Sequence, residues 1–170
     1  MPSRVSSAKS LTPAAGESQA EQDLASFIAK FEPKMAELIR ECRRELKSIF
    51  PTAVELVYDN YNFFVIGYSS TERPSDCIVS IAAAANGVGL SFYYGAALPG
   101  PAGILQGSGK QNRFIRLSAV TKLREPEVLK LIHAAAAHGK TGLPLAGRGR
   151  LVIKSVSAKQ RPRRRAKSAS

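Results

Sequence analysis

Apolar positions recur at helical spacing in the first third of the chain and in short, β-rich runs through the middle. Leu24, Phe27, Ile28 and Phe31 fall at i, i+3, i+4 and i+7, one stripe of a helix that begins after Glu21. Pro33 interrupts the stripe and suits the first residue of a second helix, where a missing N–H costs nothing. Met35, Leu38, Ile39, Cys42, Leu46 and Ile49 form the apolar face of this second helix. Arg40, Arg43, Arg44 and Lys47 share its other face with Glu37 and Glu41, spaced for ion pairs along the helix. Pro51 closes the element. From Val54 onward, runs at 54–58, 63–68, 77–82, 88–94 and 113–117 read as strands separated by turn residues. Asn86-Gly87 is a hairpin signal. Helical spacing returns near Pro126, with Val128, Leu131, Ile132 and Ala135 on one face and Gly139 at the stop. RLVIKSV, from Arg150, predicts one more strand.

Strands in succession with short connections predict an antiparallel sheet of five or six strands with helices on one face. The fold class is therefore α+β: two N-terminal helices, the sheet, a C-terminal helix and a disordered basic tail. The expected division is a disordered leader over 1–20, an α+β domain over 21–140, a linker with a further strand over 141–157, and the tail over 158–170. Within the first strand, Glu55 and Val57 share the less apolar side and Val54, Leu56 and Tyr58 the other, so Glu55 is expected in solvent.

Charge changes this picture at one end only. The 170 residues carry a net +12, but nine Lys/Arg and no acid lie between Arg148 and the terminus. The rest holds 16 positive and 13 negative charges, so the body is nearly balanced and the basicity belongs to the C-terminal segment. Two cysteines, Cys42 and Cys77, are too few for a disulfide framework or a zinc site and read as buried small hydrophobes. No apolar run approaches the roughly 20 residues of a membrane span. Residues 1–20 lack the apolar core of a secretory signal. The expectation is a cytoplasmic protein with no membrane partner.

Three constellations invite chemistry. GSGK, at residues 107–110, resembles the end of a phosphate-binding loop, but position 104 is Ile104 and position 111 is Gln111. The spacing G-x-x-x-x-G-K-[ST] is absent and a strand follows where a helix is needed, which excludes nucleotide hydrolysis here. A Gly-rich turn can still offer backbone N–H groups to an anion, so Gly107, Gly109, Lys110 and Arg113 are candidate ligand-binding residues. VELVYDNYN, at 54–62, adds Tyr58, Asp59 and Tyr61 to that set, although Asp59-Asn60 is equally a turn signature. His133 and His138 are five apart, off the spacing for a shared metal, and no serine lies in a G-x-S-x-G elbow. No catalytic residue, cofactor or metal is expected. The third constellation is KQRPRRRAK, whose Arg161, Arg163, Arg164 and Arg165 would neutralise nucleic-acid phosphates. The segment carries no aromatic to stack on bases.

ELVYDNYNFFVIGYSSTERPSDCIVSIA followed by GAALPGPAGILQGSGKQNRFIRL resembles the YdhG-like domain family, a group without an assigned function. The similarity covers about residues 24–139, and RLVIKSVSAKQRPRR is similar to the ending of a bacterial branch. The resemblance implies an α+β fold around a central antiparallel sheet and, for some relatives, frataxin-like iron handling. Lys110 and Arg113 match the family pattern. Gly100 stands where an acid is usual, and Phe114 where a His commonly follows the Arg, so the residues that would most readily hold iron are missing. The expected function is a non-catalytic module that binds a small ligand or a protein partner, with an anion site at the Gly-rich turn. The alternatives are a nucleic-acid-associated protein acting through its tail, and frataxin-like iron handling.

Overall fold

The computed structural model describes residues 15–99 and 103–166. Three helices and six strands follow in the order α1 (Ala15–Ile28), α2 (Pro33–Ile49), β1 (Val54–Asp59), β2 (Phe64–Ser69), β3 (Cys77–Ala84), β4 (Gly87–Phe92), β5 (Arg113–Leu117), α3 (Pro126–His138) and β6 (Leu151–Val156). The α+β class, the two N-terminal helices and the C-terminal helix agree with the sequence reading. Pro33 and Pro126 each open a helix, as the spacing predicts. α1 begins earlier than expected, at Ala15 within the segment read as leader, because Ala20 extends the buried stripe one turn before Leu24. The remainder of the expected leader, residues 1–14, lies outside the described residues.

The sheet order is β5-β4-β3-β2-β1-β6. β1 to β5 form an antiparallel meander, with the Asn86-Gly87 hairpin joining β3 and β4 in register Ala84↔Gly87. The sheet is nevertheless mixed, because β6 pairs parallel to β1, Val57 opposite Ile153. A strand reached through a helix and a long connection arrives in the direction that a tight hairpin forbids. Its entry is fixed by a close backbone approach. Gly149 N bonds Pro51 O at 3.3 Å, and a Cβ at Gly149 would overlap Ala53 O.

All three helices cover one face of the sheet. Ala36, Ile39, Cys42 and Leu46 of α2, and Val128, Leu131, Ile132 and Ala135 of α3, meet Phe64, Ile66, Tyr68, Val79, Ile81, Leu90 and Phe92. Each fully buried Leu, Ile or Phe contributes about 1.5–3 kcal/mol relative to exposure. Glu55 also points to this face and is buried, contrary to the expectation of solvent. Arg43 of α2 reaches it through two contacts of 2.9 Å, and Tyr68 donates its hydroxyl at 3.0 Å. The same guanidinium holds Glu21 of α1 at 2.7 and 3.0 Å, so one arginine ties two helices to the sheet.

The segment expected as a basic tail is described as far as residue 166, and its contacts there are specific. Ser157 N bonds Asp59 O, and Arg161 N bonds Tyr61 O, both at 2.9 Å. Arg163 is buried against Asp59, 2.9 Å from Oδ1. Residues 167–170 lie outside the described residues.

Candidate functional site

β3, β4 and β5 alternate large with small or polar side chains, and the alternation sorts the two faces. Val79, Ile81 and Ala83, then Val88, Leu90 and Phe92, then Ile115 and Leu117, lie toward the helices. Ser80 and Ala82, Gly87, Gly89 and Ser91, and Phe114 and Arg116 lie on the opposite face. Among the described residues no helix covers this second face. Its floor is low because five of its positions are Gly, Ala or Ser. A cavity of about 410 Å³ results, with Phe63 and Val65 at the β2 side and Phe114 and Arg116 at the β5 side. That volume lies in the range of small-molecule sites.

Local geometry holds the walls in place. Phe63 precedes β2 and is 50 % exposed, although it is a large apolar ring. Phe114 exchanges backbone hydrogen bonds with Gln106 at 2.9 and 3.0 Å, so the Gly/Pro-rich connection folds back and covers the β5 edge. Gly107, at φ +115°, lies against the Phe114 ring. Ser91 donates to Asn112 Oδ1 at 2.7 Å and fixes that amide at the rim. Gly87 makes room for the Arg116 guanidinium, which lies 3.0 Å from where a Cβ would stand. A second cavity of about 360 Å³ adjoins the first, sharing Phe63 and Asn86, with Arg161 and Pro162 on its far side. Neither lining contains a carboxylate.

The residues expected to bind a ligand do not converge. Arg113 spends its Nη1 on the Gly109 and Asn112 carbonyls, so this turn directs oxygens at its own arginine. Lys110 and Gly109 are exposed at the β5 edge and line neither of these two cavities. Asp59 lies on β1, four strand spacings from β5 and so more than roughly 19 Å away. It is buried and held by Lys30 at 2.6 Å and by Arg163. Burial alone would raise its pKa, but hydrogen bonds from Lys30, Gln160 and Arg163 outweigh that and keep the carboxyl below its usual range. Tyr58 is half-buried on the open face of β1. Tyr61 is exposed in the β1–β2 turn, with the Arg161 guanidinium 5.8 Å over its ring.

The four tail arginines divide in the same way. Arg163 is buried, and its Nη2 also donates to Asn60 O at 2.6 Å. Its Nε and Nη1 are buried without a partner among the described residues. Arg164 Nε donates to Lys30 O at 3.1 Å. Arg161 and Arg165 are exposed.

Phe63, Phe114 and Arg116 were missed by the sequence reading, yet a signal was present. In RFIRL the apolar positions 115 and 117 alternate with 114 and 116, and GVGLSF alternates glycine and serine with large residues.

Nucleophile chemistry finds little support in the two thiols. Burial pushes the Cys42 thiol up to about 12, with Glu41 and Glu45 adding to it, and burial also raises Cys77. Both stay protonated at neutral pH and are weak nucleophiles. Among the described residues no three His, Cys, Asp or Glu side chains group closely enough to hold a metal, and no helix is long and apolar enough to cross a membrane. Comparison with protein-family models, with curated proteins and with solved structures finds no match to this chain.

Proposed function

We propose that the chain is a non-catalytic binding module that takes a planar anionic ligand on the open face of its sheet. The observation that carries this reading is that Phe63, Phe114 and Arg116 line one cavity over a floor of glycine, alanine and serine. Aromatic walls over an apolar floor reward a flat ligand, and one cation free of carboxylate neighbours rewards an anion. The Gly-rich turn supports the site indirectly, by covering the β5 edge and buttressing Phe114.

The planar anion 8-anilinonaphthalene-1-sulfonate is a direct probe. Titrated into the uniformly ¹⁵N-labelled chain, it is expected to shift amides of β3, β4 and β5 in amide correlation spectra. Arg116→Gln should weaken binding about tenfold and Lys130→Gln, on α3 at the helical side, should not. Equal affinities in the two variants, or shifts spread over the helical face, would overturn the assignment.

A further inference from the structure

We infer that the ligand of this face is single-stranded nucleic acid, read through two base-stacking points that each have their own arginine. The inference rests on the open-face site proposed above and goes further by naming its substrate class. Phe63 and Phe114 stand three strand spacings apart and about four residues apart along the strands, roughly 20 Å in all, which is too far for one flat group to stack on both. Several planar groups strung on a charged backbone span that distance.

The charges repeat with the rings. Arg116 follows Phe114 by two residues on the same strand face, and Arg161 lines the second cavity with Phe63. An aromatic ring and a guanidinium, twice over along one continuous track, match a polymer whose repeat is a base and a phosphate. No carboxylate lines the track to repel a phosphate. A sheet with helices behind it and aromatics on its open face is a general geometry for stacking unpaired bases. A duplex hides the base faces that Phe63 and Phe114 would meet, so the geometry selects single strands.

The C-terminal segment acts here through position and not as a loose cation. Arg163, buried on Asp59, anchors the chain two residues after Arg161. The Arg161 N bond to Tyr61 O then fixes Arg161 at the end of the track. Arg163 is a positioning residue.

Fluorescence anisotropy of fluorescein-labelled single-stranded ten-mers of RNA and DNA, against a duplex and a free dinucleotide, tests the inference. Single strands should bind at least tenfold tighter than both controls. Phe63→Ala and Phe114→Leu should each weaken binding about tenfold. Arg116→Gln and Arg161→Gln should each reduce the slope of log affinity against log salt by about one. Melting followed by circular dichroism checks that each variant is folded, and half-exposed Phe63 can be truncated without opening the core.

A dinucleotide that binds as tightly as the ten-mers would overturn the polymer reading. So would retention of the duplex, or affinity indifferent to Phe63 and Phe114. If ten-mers fail while the sulfonate probe still depends on Arg116, the small-ligand site stands and this inference falls; if neither binds, both fall. Sedimentation that reveals a dimer lost in Phe63→Ala would make a second copy the occupant and refute the inference.

Discussion

At the scale of the residue, Gly149 has a role that no side chain can share. Its Cα approaches Ala53 so closely that any Cβ collides with a carbonyl oxygen. Overpacking of this kind costs about 1–3 kcal/mol, and here it falls on the backbone that launches β6. Gly149→Ala is expected to lower the melting temperature by several degrees, about 2–4 °C per kcal/mol for a chain of this size. Circular dichroism melts would reveal it, and an unchanged midpoint would show that β6 enters without this contact. The sequence carried no sign of it, because a glycine in TGLPLAGRGR reads as linker. Glu55 was equally hidden. Strand alternation placed it beside Val57, but its partners Arg43 and Tyr68 come from other elements and turn a solvent position into a buried one.

At the scale of the element, periodicity found what depends on neighbours in sequence. The five meander strands, the Asn86-Gly87 hairpin and the two proline-opened helices were all legible. The direction of β6 was not, since parallel pairing with β1 joins residues about a hundred positions apart through contacts that leave no local pattern. The contacts of residues 158–166 were hidden for a related reason. A run of arginines looks solvated until a buried acid, Asp59, is placed beneath one of them. Removing one partner of a buried ion pair costs about 3–5 kcal/mol. A chain ended after Ser157 therefore leaves Asp59 with Lys30 alone and should melt roughly 10 °C lower. A truncated chain as stable as the full one would mean that Asp59 finds solvent or another cation.

At the scale of the whole molecule, the two faces of the sheet divide the charge. The helical side contains carboxylates bound to cations, Glu21 and Glu55 on Arg43 and Asp59 on Lys30 and Arg163. The two cavities of the open face hold guanidinium groups without acids. The first arrangement makes stability depend on acid. Hydrogen bonding to Arg43 lowers the Glu21 pKa, and Asp59 is lowered despite its burial. Carboxyls depressed in the folded state contribute stability that is complete above their unfolded values, about 4, and is lost as pH falls through the folded ones. Urea unfolding from pH 7 down to 2.5 should show that loss below about pH 4, and Asp59→Asn should flatten it; equal slopes in both chains would remove Asp59 as a contributor. The parallel seam between β1 and β6 also orders events in time. Meander contacts are short-range and form early, whereas Val57 must wait for Ile153. A nascent chain synthesised as far as α3 therefore exposes β1 as an open edge, a surface prone to pairing with other chains. The aromatic walls are then in place before Arg161 reaches them, so the growing protein acquires its rings first and its last cation at the end.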